Sequence, residues 1–309
     1  MRSRYLSLKP LILWRDAERP IDWRRRFGRQ APLEVEIGFG NGEFLVRRAQ
    51  AHPERNLVGL DLDWRSTQKG LRRIAQANVS NVRLIQVDAR AALERLFLPR
   101  SLHHAYSLFP CPWPKERHAK HRLFSHTFLR LLNSRLAAGG EAQIVTDHRP
   151  YLDWILERLP GTGFEASWRA TPARFDTKYE RKWQGEGQQE FLELQLLKQT
   201  HQEIPLKEDI ELKSHRVAHF DADRFQPTGV RGEVTVEFYE YLYDPRHQKG
   251  MVRAFVAEEG LNQEFWIEIA RRESGWRISP ARGCGVVPTA GVQRALDLAR
   301  DAALSESGR

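Results

Sequence analysis

Cysteine is nearly absent from this chain: Cys111 and Cys284 are the only two among 309 residues. Two cysteines build neither a disulfide framework nor a zinc site, so a reducing cytoplasmic compartment and no metal are expected. Long apolar runs are missing too, and no stretch approaches the roughly 20 residues that a bilayer-spanning helix needs. The opening Met1-Arg2-Ser3-Arg4-Tyr5 leads into no apolar segment or cleavage site of a signal peptide. Internal repeats and low-complexity tracts are also lacking. These absences exclude a disulfide-stapled secreted domain, a membrane-spanning chain and a repeat array. They leave a globular protein of one large or two smaller domains.

Acidic residues are in deficit. Lys and Arg number 49 against 40 Asp and Glu, a net charge of +9. The excess is uneven. Residues 1–30 hold nine basic residues (Arg2, Arg4, Lys9, Arg15, Arg19, Arg24, Arg25, Arg26 and Arg29) against three acids. A second cluster, Lys115 to Arg135, holds six Lys/Arg against one Glu, with His118, His121 and His126. A charge run is usually a solvated face. Two clusters beside one candidate site point to a polyanion, and nucleic acid is the expected partner.

Residues 33–37 alternate like a strand and run into Gly38-Phe39-Gly40-Asn41-Gly42. A helix is predicted from Glu43, a buried strand over 56–60 ending at Asp61, a helix over 65–77 and a strand over 82–87 ending at Asp88. A short strand over 105–108 feeds a proline-rich loop. Ser125 caps a helix through Leu136, stopped by Gly139-Gly140. A strand over 141–145 ends at Thr146-Asp147, a helix covers 150–159, and 191–197 is a late strand. Strands alternating with helices predict an α/β, Rossmann-like domain with a mostly parallel sheet. In such sheets ligands sit at the carboxyl ends of strands, where Glu36, Asp61, Asp88, Cys111 and Asp147 all fall.

After residue 200 the pattern changes. Residues 200–215 resemble a linker; 233–243 and parts of 251–257, 263–270 and 275–279 alternate as an antiparallel meander; a helix covers 290–304. The expected organisation is a basic arm (1–30), a catalytic domain (31–199), a linker (200–215) and a smaller α+β domain (216–309).

The glycine loop admits close approach of a ligand to backbone. A dinucleotide fingerprint needs Gly-x-Gly-x-x-Gly. Here the third glycine comes one residue early, and Glu36 precedes the loop, an awkward neighbour for a pyrophosphate. S-adenosylmethionine carries a sulfonium and an amino group and no phosphate, so nearby carboxylates favour it. Asp61 is placed for the ribose hydroxyls and Asp88 for the adenine amino group. These residues favour a methyltransferase over an NAD-dependent oxidoreductase.

The segment Leu108-Phe109-Pro110-Cys111-Pro112-Trp113-Pro114-Lys115-Glu116-Arg117-His118 is held by three prolines and is predicted as a rigid, non-helical substrate-binding loop. With this loop, the chain resembles the bacterial tRNA (guanine-N7)-methyltransferase family, which methylates guanosine 46 of the tRNA variable loop. The resemblance covers roughly residues 30–198. It rests on Glu36 to Gly42, Phe109 to Lys115, Arg117-His118, Thr146-Asp147 and Thr177-Lys178-Tyr179-Glu180. It implies that Glu36 and Asp61 bind S-adenosylmethionine, with the residues around Asp88 near adenine, and that Asp147, Thr177 and Glu180 belong to the guanine site. Gly38 and Gly40 are expected to hold the cofactor with them, Cys111 to help shape the guanine pocket, and Lys115, Arg117, His118 and Arg122 to grip tRNA phosphates with the basic arm. The extension over 200–309 resembles that of some thermophile members.

One position departs from the family. Its loop carries Asp, taken as catalytic, where this chain has Cys111. Methylation of guanine N7 needs alignment rather than a general base, so activity with Cys111 and Asp147 as the catalytic pair is expected. The alternative is a tRNA- and cofactor-binding protein that has lost catalysis and serves as a chaperone or partner subunit. Plainer readings exist for single residues. Thr177 and Glu180 fit a helix capping box, Asp147 fits a helix cap, Trp113 fits a core position, His118 a solvated surface and Cys284 a structural role.

Overall fold

The computed structural model describes residues 6–304 and divides into two compact units, residues 1–207 and 208–309. Arg2 and Arg4 of the expected arm lie outside the described residues. The first unit contains, in chain order, α1 (Trp23–Phe27), β1 (Leu33–Ile37), α2 (Glu43–Ala51), β2 (Asn56–Asp61), α3 (Trp64–Ala77) and β3 (Val82–Gln86). Then come α4 (Ala89–Arg95), β4 (Leu102–Leu108), α5 (His126–Arg135), β5 (Leu136–Thr146), α6 (Arg149–Leu156), β6 (Phe164–Pro172), α7 (Lys178–Gly185) and β7 (Glu190–Lys198). The sheet order is β3-β2-β1-β4-β5-β7-β6. The first five strands in that order pair parallel, and β7 runs antiparallel to both β5 and β6. This is the Rossmann-like methyltransferase arrangement expected. Among the described residues no helix is long and apolar enough to cross a membrane.

The alternation of Leu33-Glu-Val-Glu-Ile37 does not mark a half-solvated strand. All five residues are buried, with Glu34 at 1% and Glu36 at 3% exposure. A central parallel strand is covered on both faces, so both carboxylates enter the interior.

Several elements differ from expectation. Helix α5 begins after Ser125, whose side chain accepts the Phe128 amide, but it ends at Arg135 and not at Gly139-Gly140. Arg135 is fully buried and donates to the carbonyls of Leu93 (2.6 Å), Ile204 (2.8 Å) and Pro205 (3.2 Å), so it leaves the basic surface cluster. Burial lowers its guanidinium to about 10. The two glycines sit inside β5, where pairing with β4 jumps from Leu102↔Leu136 to His104↔Glu141 and Gly139 takes φ +67°. Strand β6 and helices α4 and α7 were not among the predicted elements. Residues 116–121 form a 3-10 helix, so the tail of the proline segment is helical after all.

The basic arm is packed rather than free. Leu11 bridges to Leu84 of β3, the Ile12 amide donates to the Leu84 carbonyl (2.9 Å), and Ile12, Trp14, Ala17 and Ile21 are buried. Arg29 donates to Asn56 Oδ1 (2.9 Å), and Arg19 wraps the carbonyls of Trp14, Arg15 and Ala17. Arg24, Arg25 and Arg26 remain exposed.

The second unit is an antiparallel sheet covered by one helix. It contains β8 (His215–Val217), β9 (Thr235–Asp244), β10 (Lys249–Glu258), β11 (Leu261–Arg272), β12 (Gly275–Pro280) and α8 (Ala290–Leu304), with strand order β8-β12-β11-β10-β9. Its core joins Val252, Ala254, Val256, Phe265, Ile267, Ile269, Trp276 and Ile278 to Val292, Leu296 and Ala299 of the helix. Strand β8 was hidden at the end of the stretch read as a linker. Residues 200–207 of that stretch belong to the first unit, bonding to Gly163, Asn133 and Glu94, and Ile210 and Lys213 bond within the second.

Candidate functional site

The sheet order sets the site. The carboxyl ends of β3, β2, β1, β4 and β5 present Asp88, Asp61, Glu36 with the glycine loop, Phe109 to Cys111, and Asp147 along one edge. Ligands bind at such an edge, where strand order reverses; here that point is β1 beside β4.

The glycine loop is built around its one apolar residue. Phe39 is 3% exposed. Its ring fills the space that a Cβ at Gly59 (2.7 Å) or Gly70 (3.0 Å) would occupy. With Phe39 anchored, Gly38 (φ +77°) and Gly40 (φ +55°) turn outward, and a Cβ built on either meets nothing within 4 Å. Positive φ favours glycine there, and the space beyond is open. Gly42 serves packing, since its Cβ would lie 3.1 Å from the Gly70 Cα of α3. The anchoring role of Phe39, Gly59 and Gly70 was not anticipated; an aromatic residue between the loop glycines is the signal for it.

Asp61 accepts the Gly40 amide at Oδ2 (2.9 Å) and the Asp63 amide at Oδ1 (2.8 Å), fixing the loop against β2. Burial, opposed by these amides, raises its pKa. Asp88 caps α4, its Oδ1 accepting the amides of Arg90 (2.8 Å) and Ala91 (3.4 Å).

The two glutamates of β1 differ sharply. Glu34 is held by Arg48 (2.8 and 2.9 Å) and by Arg55. Burial pushes its carboxyl upward, but the two guanidiniums outweigh that and leave it below the ordinary range. No guanidinium hydrogen-bonds to Glu36; the Leu45 backbone and the Arg47 charge favour its anion, but its Oε2 is buried without a hydrogen bond. Burial, then the nearby Asp61 charge, pushes its pKa up to about 8. A buried unpaired carboxyl is costly. Two residues before an open glycine loop, it fits a cationic group. The amino group of S-adenosylmethionine supplies that charge, and a pyrophosphate would be repelled. The residues present therefore fit this cofactor.

The proline loop leaves β4 through Phe109 (φ +58°), whose amide donates to the Val145 carbonyl (2.7 Å) and whose ring packs edge-on against Phe191. Cys111 is exposed. Trp113 is 37% exposed and not a core residue; it lies within 5.8 Å of the His118 ring and 5.2 Å of the His121 ring. Lys115 and Arg117 flank this aromatic group and are exposed. Arg122, expected to grip phosphates, is turned onto the loop itself. It donates to the carbonyls of Pro112 (2.9 Å) and Trp113 (3.2 Å) and lies over the Trp154 ring.

Asp147 follows β5 half-buried; the helix cap falls instead to His148, whose Nδ1 accepts the Tyr151 amide (3.2 Å). Thr177 and Glu180 form the capping box of α7. Glu180 is buried and accepts the amides of Arg174 (3.0 Å), Phe175 (3.0 Å) and Thr177 (2.8 Å). Both side chains are thus engaged in shaping residues 174–177.

That segment is latched to the cofactor loop. Arg181 joins Asp176 (2.6 Å) to Glu43 (2.7 Å), the first residue of α2, and Arg73 reaches the other Glu43 oxygen (3.0 Å). Arg47 of α2 donates to the Phe175 carbonyl and approaches Asp176 (3.5 Å). Buried Glu193 holds Arg174 and Gln143. None of these latch residues was foreseen; every pair except Arg181–Asp176 is distant in sequence.

Comparison with known proteins places the chain in a family. Residues 30–192 match a family model described as "Putative methyltransferase". The chain is similar to a tRNA (guanine-N(7)-)-methyltransferase of Chlorobium phaeobacteroides, 46% identical over 169 residues, covering 55% of this chain and 83% of that one. It is also similar to the protein of that name from Thermus thermophilus, 34% identical over 257 residues and covering 81% of each chain. The latter match is longer than the first unit, so it extends into the second. Among solved structures it is similar to the 16S rRNA methyltransferase KamB, at 16% identity and TM-score 0.47, covering 58% of this chain and 93% of that one. The family model and the curated relatives settle the membership: the chain is an S-adenosylmethionine-dependent enzyme and belongs to the tRNA (guanine-N(7)-)-methyltransferase family.

Proposed function

We propose that the protein methylates N7 of guanosine 46 in the tRNA variable loop, acting in the cytoplasm, with the chemistry in residues 31–199. S-adenosylmethionine supplies, when bound, an electrophilic methyl group on a sulfonium. Glu36 receives its ammonium, Gly38 and Gly40 let it approach the backbone, Asp61 takes the ribose hydroxyls, and the end of β3 at Asp88 lies beside adenine. Guanine N7 carries an in-plane lone pair and no proton, so the site needs no general base. Its task is alignment and stabilisation of the positive charge that methylation places on the ring. Asp147 meets that charge, with Cys111 at the position of the family's loop Asp. Thr177 and Glu180 act as positioning residues by fixing residues 174–177. Lys115, Arg117 and His118 contact phosphates, with Trp113 offering a stacking face.

The observation that carries this reading is the buried Glu36 carboxyl, whose Oε2 has no hydrogen-bond partner, at an open glycine loop. The test is transfer of labelled methyl from S-adenosylmethionine to a tRNA transcript, beside the same transcript with adenine at position 46. Incorporation into the first alone is expected. Equal incorporation into both rejects the target, and no incorporation into either rejects the catalytic role.

A further inference from the structure

The second unit neutralises part of its surface cations by ion pairs. On the sheet face away from α8, Arg253 pairs with Glu240 (2.8 Å) and Glu264 (2.6 Å). Lys249 and Arg272 share Glu268 (2.5 and 3.3 Å). The β8–β12 edge is the exception. Register places Arg216 of β8 directly opposite Arg277 of β12. Alternation puts both on this open face: His215 bonds to Asp297 of α8, while Val217, Trp276 and Ile278 enter the core. Both arginines are exposed, and neither has an ion-pair partner among the described residues.

Like charges directly opposed on a sheet are destabilising, with Cβ atoms only about 4.5–5.5 Å apart. The row continues through Ala270, opposite Arg277, to Lys249. A fold that pairs its other cations on this face and leaves two arginines abutting has a site for a bridging anion. Arginine forks match phosphate oxygens, and a repeated phosphate matches a row of cations.

We propose that this edge of the second unit, centred on Arg216 and Arg277, binds the phosphate backbone of the tRNA substrate. The proposal rests on the tRNA reading above. It assigns the second unit an RNA contact separate from the methyl-transfer site.

The test is binding of a tRNA transcript to the full-length protein from 50 to 200 mM salt, comparing wild type, R216Q/R277Q and R253Q. The double variant is expected to bind about 5- to 10-fold more weakly at low salt, with a slope of log K against log salt shallower by about one to two units. Its KM for tRNA rises while kcat and S-adenosylhomocysteine affinity stay unchanged. Its melting temperature equals or exceeds that of wild type, because a repulsion has been removed. R253Q, which alters an already neutralised cation, keeps the wild-type slope. Unchanged affinity and slope in R216Q/R277Q, with wild type active on tRNA, overturn the surface alone. A wild-type protein that neither binds nor methylates tRNA overturns the substrate reading and this partner with it.

Discussion

The two ends of β1 place the same side chain in the same kind of interior and reach opposite results. Glu34, near the start of the strand, is met by Arg48 and Arg55 and is a finished ion cluster. Glu36, two residues on and on the same face, keeps a buried oxygen without a partner. Folding completes the first and leaves the second for a ligand. A polar residue buried without compensation marks function better than its residue type does.

The largest test of this contrast is Glu36→Gln. Removing one partner of a buried charge pair costs about 3–5 kcal/mol, so affinity for S-adenosylhomocysteine should fall by at least about 100-fold, as read by calorimetry. The ligand-free variant should also gain stability in alkali. The Glu36 pKa is raised from 4.5 to about 8, so its contribution is fully present below 4.5 and is lost as pH rises through 8. A melting-temperature series from pH 5 to 9 should show the variant overtaking wild type at the upper end.

Glu34→Gln should do the reverse. It should lose about 2–3 kcal/mol in urea unfolding, because a buried charge-assisted bond is broken, while cofactor affinity stays within about threefold of wild type. In the wild type, cofactor affinity should rise about tenfold per pH unit below 8 and flatten above it, a dependence measured by titrations between pH 6 and 9 and absent from Glu36→Gln.

Smaller effects are expected from the latch and the proline loop. Arg181→Gln removes one tie between Glu43 and Asp176 and should raise the KM for tRNA and lower kcat by about three- to tenfold. Cys111→Asp should raise turnover a few-fold, since a carboxylate stabilises the methylated ring better than a thiol. A large loss of activity would reject this view of the loop.

The contrast also shows what a sequence reveals. The glycine loop, Asp61 and the strand ends were legible because each is a local pattern of a few residues. Glu36 could be singled out by its position before the loop. Its difference from Glu34 could not be, because Arg48 and Arg55 reach Glu34 from 14 and 21 residues away. Strand β6 was missed because most of it is exposed on both faces and shows no alternation. Helix α4 is only seven residues long, and its one clear signal, Asp88 as N-cap, had been read as a ligand contact. The Thr177-x-x-Glu180 spacing admitted both a capping box and a substrate site; the geometry builds the first. The basic arm concealed its packed residues, Ile12, Trp14 and Ile21, among arginines.

The most direct measurement is the proton balance of S-adenosylhomocysteine binding at pH 6.5, from calorimetry in two buffers of different ionisation enthalpy. If the ligand ammonium completes Glu36, wild type should release about one proton per site, and Glu36→Gln should release none. No proton release by wild type, or equal release by the variant, would contradict the account.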